Sequence, residues 1–224
     1  MIGQAVKIEV ERRSRAMAAG HRSLLAAQRG GISSQALGRY LESLRYLLSH
    51  TPIHLRRAVE VARSRGLDAL AQHFEKKIAE EEGHDKWAES DLAAFGAGPC
   101  EPLPAVIELV EFLGALLETD PRLYAVYIVT NEYFTVVAGS AWVRALNEGC
   151  GVPAGSLSAV TKHIEADAAH AAEGFQVLDE LIADRTIQPD LAATVENTMG
   201  LFSRFFDQVA LPEASRSDGA SLFG

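Results

Sequence analysis

Two histidines and an aspartate at helical spacing are the residues of this sequence best suited to chemistry. His163, Asp167 and His170 lie in the alanine-rich segment KHIEADAAHAAEGF, at offsets of four, three and seven residues. These offsets place all three side chains on one, largely apolar face of a helix, while Lys162 and Glu165 fall on the other side. Buried ionisable groups are costly unless they pair or bind metal. Imidazole with carboxylate is a ligand set for iron, manganese or zinc.

A second pair of ligand-type residues interrupts the apolar stripe of a predicted helix at residues 67–95. Continuing the helical spacing of that stripe leads to Glu81 and His84. An i,i+3 Glu/His pair is a chelating arrangement in helical bundles that hold two irons. The flanking Glu80 and Glu82 fall on more exposed faces, and we interpret them as solvated charges. The alternative is that Glu80 or Glu82 is the true ligand.

Glu132 is the only charged residue between Leu123 and Trp142, in a segment that is apolar on almost every side. Such a helix is buried in a bundle, so its glutamate must pair, become protonated or bind metal. For Glu132 alone a structural hydrogen bond is the simpler interpretation, but two other inward clusters favour coordination. Three predicted helices thus supply six candidate metal ligands: Glu81, His84, Glu132, His163, Asp167 and His170. Two adjacent ions would share this set more economically than one ion would use it.

His50 is a further candidate, as a supplementary ligand or a substrate-facing residue. Pro52 predicts a kink beside it, and a chain reversal at Gly66 would bring His50 level with Glu81 on an antiparallel helix. A histidine hydrogen-bonded at a proline kink is an equally ordinary interpretation. Three other histidines have no partner at meaningful spacing and are predicted to be surface groups: His21, His54 and His73.

The elements that must position these residues are helices. Long segments with a period of 3.6 residues follow one another, and nothing reads as an alternating strand bounded by hairpin signals. Glycine and proline stops divide them into seven predicted helices: 2–29, 33–65, 67–95, 103–118, 121–148, 156–184 and 188–211. We therefore predict a single all-α domain over residues 1–212, built as a seven-helix bundle, and a disordered tail at 213–224.

Composition, charge and the lack of long apolar segments argue against several classes of protein. The chain has 224 residues, of which 48% are hydrophobic, and a formal net charge of -9 without a basic cluster, which argues against nucleic-acid binding. The N-terminal segment lacks the apolar core of a signal peptide, and no stretch is both long enough and apolar enough to span a membrane. We expect a cytoplasmic protein that acts on a small molecule, with a homodimer left open. Cys100 and Cys150 lie in turn-like segments and are predicted to be free structural thiols.

Three segments together resemble the haem-oxygenase-like diiron oxidases, also described as iron-containing redox enzymes of the second haem-oxygenase-like family. They are EEEGHDKWAESDLAAFG at 80–96, NEYF around Glu132 and HIEADAAH at 163–170, with SHTP at 49–52 as a weaker match. The resemblance covers nearly the whole chain in helix order. It implies a seven-helix haem-oxygenase-like fold, two Fe(II)/Fe(III) ions held by the six residues named above, and dioxygen as co-substrate.

The same resemblance implies an oxidase or oxygenase of a small organic substrate, of the amino-acid or fatty-acid type, as in natural-product biosynthesis. Some relatives carry an additional glutamate from the second helix, where this sequence offers His50, so the chain departs from the pattern at one iron. Arg45, Arg56 and Lys162 are candidate anchors for a substrate carboxylate.

Five alternative functions fit these residues to different degrees. A thiaminase-type relative needs a helical cysteine nucleophile, for which Cys100 and Cys150 are poorly placed. A cofactor-free quinone-forming relative would not require six clustered ligands. Haem oxygenase itself needs an axial histidine, and His21 lies beside Gly20 at a poorly patterned position. A ferritin-like protein would repeat Glu-x2-His on two helices. A non-catalytic metal- or ligand-binding bundle of the same fold stays open.

Overall fold

The computed structural model describes residues 1–181 and 187–210, and the predicted tail lies outside this range. The described chain forms nine α-helices and one short 3₁₀ turn, without strands. The helices are α1 (Ile2–Gly20), α2 (Arg22–Gln28), α3 (Ser34–Ser64), α4 (Asp68–Glu81), α5 (Asp85–Phe95), α6 (Pro104–Thr119), α7 (Pro121–Cys150), α8 (Ser158–Leu181) and α9 (Gln188–Ala210). The predicted all-α bundle is confirmed. Among the described helices, none has the length and apolar character needed to cross a membrane.

Two of the seven predicted helices are each interrupted once. The helix predicted at 2–29 breaks at His21, whose backbone is extended (φ -61°, ψ 139°) and whose ring accepts a hydrogen bond from the Ser23 amide. The helix predicted at 67–95 breaks at Gly83, where φ is +88°. Only glycine adopts this left-handed region at little cost. The break therefore falls between Glu81 and His84, and the pair does not share one continuous helix as we predicted.

Helices α7 and α8 pack unusually closely because two glycines lie in their contact. A Cβ atom at Gly174 would lie 2.5 Å from a methyl carbon of Val129, and one at Gly139 would lie 2.8 Å from Ile164. Such distances leave no room for a larger residue in a close-packed interior. The close approach brings Glu132 of α7 beside the inner face of α8.

A buried aspartate fixes the start of α8 against α5. Asp91 is 1% exposed, and its carboxylate accepts hydrogen bonds from the amides of Ser158 (2.9 Å) and Ala159 (2.8 Å). A carboxylate at this position satisfies the unpaired amides of the first turn and interacts favourably with the helix dipole. Asp91 thereby sets the position of α8 one turn before His163.

Candidate metal centre

Three of the predicted ligands converge where α4, α5 and α8 meet. The Nδ1 atom of His84 lies 3.1 Å from Oε2 of Glu81 and 3.2 Å from Nε2 of His163. The remaining side of this triangle, from His163 Nε2 to Glu81 Oε2, is 4.0 Å long. Their ligand atoms all lie within 4.8 Å of one another. We call these three residues the first ligand group.

The orientation of both imidazole rings suits metal coordination. The Nδ1 atom of His163 lies 2.6 Å from the Ala159 carbonyl, to which it donates, so the Nε2 lone pair faces the group. The His84 ring stacks on Trp87, with centroids 3.9 Å apart and planes 23° from parallel. Ring positions held in this way need little reorganisation when an ion binds.

A second ligand group consists of Glu81, Glu132 and His170, whose ligand atoms also lie within 4.8 Å of one another. Glu81 belongs to both groups. Asp167 is 2% exposed, and its Oδ1 atom lies 3.7 Å from Nδ1 of His170. The six predicted residues are thus brought together at one place, and Glu165 is exposed as predicted.

One residue of this site, Lys77, was not among the predicted ones. Its side chain is 2% exposed, and its ammonium nitrogen lies 2.7 Å from Oε1 of Glu132 and 2.9 Å from Oε2 of Glu80. Lys77 precedes Glu81 by one helical turn and follows the buried Phe74 by three residues, so the spacing of the apolar stripe already placed it on the inner face. The predicted solvated role of Glu80 is wrong, because this half-buried side chain faces Lys77.

Glu82 is 67% exposed and pairs with Arg56 at 3.0 Å, in agreement with its predicted surface position. Glu80 and Glu82 differ in exposure because α4 ends between them. Glu80 lies within the helix and faces α8, whereas Glu82 lies in the turn that follows. Oε2 of Glu80 lies 3.7 Å from Nε2 of His170.

Crowding of carboxylates shapes the protonation of the site. Burial, together with the negative charges of Glu132 and Glu81, raises the pKa of Asp167 to about 8. Burial raises the pKa of Glu132 to about 7, although Lys77 opposes the change. Burial also acts on Glu81, but its contacts with His84 and His163 are stronger together and hold its pKa below the ordinary value. In the metal-free site the carboxyl groups of Asp167 and Glu132 therefore keep their protons to a higher pH than usual.

Among the six ligand residues, three have a buried atom with no hydrogen-bond partner among the described residues. These atoms are Oε2 of Glu132, Oδ2 of Asp167 and Nδ1 of His170. A buried polar atom without a partner destabilises a protein by about 1–3 kcal/mol, so native structures rarely leave three together. All three are oxygen or imidazole nitrogen donors, which is the set that iron and manganese prefer. The residues therefore fit metal ions: the first group would hold one and the second group another, with Asp167 beside the second.

The structure does not bring His50 to either ligand group. Its Nδ1 atom lies 2.8 Å from the Tyr46 carbonyl one turn earlier, and its ring packs on that of Tyr46 with centroids 4.3 Å apart. The hydrogen bond of His50, two residues before Pro52 in α3, agrees with the alternative interpretation that we kept for it.

The prediction of surface positions for three other histidines is wrong. His73 is 8% exposed, and burial lowers the pKa of His54 to about 4. His21 is half-buried, and its two ring nitrogens lie 2.8 Å from Oγ of Ser23 and 3.1 Å from Oγ of Ser203. Both nitrogens of His21 are therefore engaged, which does not suit an axial haem ligand.

A cavity of about 160 Å³ adjoins the ligand groups. Its polar end includes Lys77, Glu81, Glu132, His163 and Asp167. Most of the remaining wall is apolar and aromatic, and runs towards α9 and the α1–α2 junction: Met17, Leu24, Tyr40, Trp142, Phe202 and Phe206.

The three predicted carboxylate anchors do not line this cavity. Arg45 and Arg56 pair with neighbouring glutamates, and the Lys162 ammonium lies 4.6 Å from the centre of the Trp87 ring. Among the described residues, Lys77 is the only lysine or arginine of the cavity wall.

Neither cysteine lies at the site. Cys150 donates a hydrogen bond to the Ala27 carbonyl at 3.3 Å, and burial raises the pKa of Cys100. A raised pKa makes a thiol less reactive. These observations agree with the predicted structural role of both thiols.

Solved structures show what this architecture is similar to. A domain of unknown function with a haem-oxygenase-like fold from Shewanella denitrificans OS217 superposes with a TM-score of 0.80 and 19% identity, over 99% of this chain and 97% of the other. The chain has the haem-oxygenase-like fold. A TenA homologue from Pseudomonas syringae pv. tomato follows, with a TM-score of 0.68, 15% identity and coverage of 91% and 90% of the two chains. No protein-family model and no curated protein matches the sequence.

Proposed function

We propose that this haem-oxygenase-like protein is a non-haem diiron oxidoreductase that uses dioxygen to oxidise a small organic molecule. The observation that carries the proposal is the convergence of two three-ligand groups, which share Glu81, at the polar end of an apolar cavity. Bound iron would supply electrons to dioxygen. The chain's own residues hold the ions, exclude water and position the substrate.

The apolar wall supports an apolar chain as the larger part of the substrate. Aromatic and aliphatic side chains surround the space beyond the ligands, and burial of apolar surface contributes about 25 cal/mol per Å². A polar group of the substrate would lie at the end formed by Glu132, His163 and Asp167. Of the two expected classes, the fatty-acid type therefore fits this wall better than a free amino acid.

The cavity beside the ligands supports turnover over simple metal storage. The ligands lie at the end of a space large enough for several substrate atoms, which a purely structural ion does not need. Thiaminase-type chemistry lacks support, since neither Cys100 nor Cys150 reaches the cavity.

Oxygen consumption tests the proposal. The chain is loaded with Fe(II) without oxygen, and uptake of dioxygen is then recorded with fatty acids of graded length and with amino acids. We expect uptake that depends on substrate, and its loss in His84→Ala. Glu82→Ala, with an exposed side chain two residues away, is the matched control and should keep the activity. Absence of uptake across both substrate classes, from protein that has bound iron, would favour the non-catalytic metal-binding alternative.

A further inference from the structure

We propose that the Lys77 ammonium occupies the cation position of the second ligand group in the metal-free protein, and that it must leave before a second metal ion binds. The inference rests on the proposed diiron function. It assigns to Lys77 control over how the two ligand groups fill.

The contacts of Lys77 are those of a cation held by ligand residues. Its ammonium lies 2.7 Å from Glu132, a member of the second ligand group, and 2.9 Å from Glu80, which also approaches His170. Lysine is among the side chains least often fully buried, and when buried it is paired. Here the side chain is 2% exposed, so the ammonium lies within the site and not at its rim.

A metal ion and this ammonium compete for the same carboxylate. Two positive charges at the spacing of a hydrogen bond repel strongly where water is excluded. A divalent ion bound by Glu81, Glu132 and His170 therefore requires the Lys77 ammonium to move. The cavity offers the displaced side chain a place, because Lys77 already lines its wall.

The first ligand group carries no such competitor. Within the described part of the chain, Glu81 forms ion pairs only with the histidines of its own group; the charge of Lys77 acts on Glu81 from beyond ion-pair distance. The two groups are thus unequal before any ion arrives: the first is open, and the second is already neutralised by Lys77.

A Mn(II) titration of the metal-free full-length chain, followed by the electron paramagnetic resonance signal of free Mn(II), tests the inference. The wild type should bind in two steps, the first tighter than the second. Lys77→Met, which keeps the length of the side chain and removes its charge, should tighten the second step roughly 10- to 100-fold, the size of effect typical of groups around metal ligands. The control Lys86→Met alters an exposed lysine that pairs with Asp85 and Glu89, neither of them a ligand, and should change neither step.

Lysine-selective NMR of the wild type gives a second measurement that does not depend on how the variant folds. The Lys77 side-chain resonance, assigned by elimination through single arginine variants of the other lysines, should stay in place through the first equivalent of Zn(II) and shift during the second. Equal affinities in wild type and Lys77→Met, or a resonance unmoved through both steps, would overturn the role of Lys77 and leave the diiron proposal standing. Failure of both proteins to bind any metal would overturn the two together.

Discussion

Replacing Asp167 with asparagine should stabilise the metal-free protein and weaken its binding of metal. The Asp167 carboxyl is 2% exposed and lies among the carboxylates of Glu132 and Glu81, which together with burial raise its pKa to about 8. Asparagine has nearly the same shape and never ionises. It therefore removes the electrostatic penalty of the empty site together with a negative charge that a bound cation would need.

The sign and size of the effect follow from the two pKa values of Asp167. Its ordinary value is 3.8, and the folded value is about 8. Between these values the folded state holds a proton that the unfolded chain has lost, so the free energy of unfolding falls as pH rises through this range. At about 1.4 kcal/mol per pH unit, the interval up to pH 7 amounts to ~4 kcal/mol. We expect a gain of roughly 2–4 kcal/mol in Asp167→Asn at pH 7, because Glu132 ionises more readily once its neighbour is neutral.

Urea unfolding in the presence of a chelator measures this gain. The wild type and Asp167→Asn are compared at pH 5, 7 and 8, with Glu165→Gln as the control, because Glu165 is exposed on the same helix. The gap between wild type and Asp167→Asn should grow with pH, and Glu165→Gln should follow the wild type. With excess Mn(II) the order should reverse. A gap that does not change with pH, or an Asp167→Asn protein less stable than the wild type at pH 8, would refute the electrostatic reasoning.

Three further results are expected. Mn(II) should raise the melting temperature relative to the protein in chelator. The added stability is about 2.7 kcal/mol when free metal is 100 times its dissociation constant. An unchanged melting temperature would mean that the carboxylates are already paired within the protein. His163→Ala should lose the tighter metal-binding step in a titration, whereas Glu165→Ala should keep both steps and change stability by no more than about 0.5 kcal/mol. Ala138→Phe places a larger side chain in the cavity and should abolish substrate-dependent oxygen uptake while metal stoichiometry is retained. Ala169→Phe, at an exposed position, is the control. Oxygen uptake unaffected by Ala138→Phe would mean that the substrate binds elsewhere.

The parts of the fold that follow a single helical period were predictable from sequence. The predicted inner face of α8 is correct, because Asp167 is buried and Glu165 is exposed. The predicted burial of Glu132 is correct as well. These residues interrupt long apolar stripes, where periodicity is the strongest available signal. The convergence of the segment formed by α4 and α5 with α7 and α8 could be expected only from the combination of three such interruptions.

The errors arose where the chain departs from a single period or where a charge is buried by its partners. Gly83 breaks the helix between Glu81 and His84, and a lone glycine inside a periodic segment does not reveal its positive φ. Glu80 was predicted to be solvated and Lys77 was overlooked, because a sequence pattern does not show ion pairs between helices. The reversal at Gly66 was correct, yet it did not bring His50 to the ligands, since the Tyr46 carbonyl engages its ring.

Diffraction from crystals of the Fe(II)-loaded chain, recorded on both sides of the iron absorption edge, would locate the ions themselves. We expect two anomalous peaks close together, one among Glu81, His84 and His163 and the other among Glu81, Glu132 and His170, with the Lys77 ammonium displaced from Glu132. A difference map without an iron peak at these residues, with Lys77 still bound between Glu132 and Glu80, would contradict this expectation.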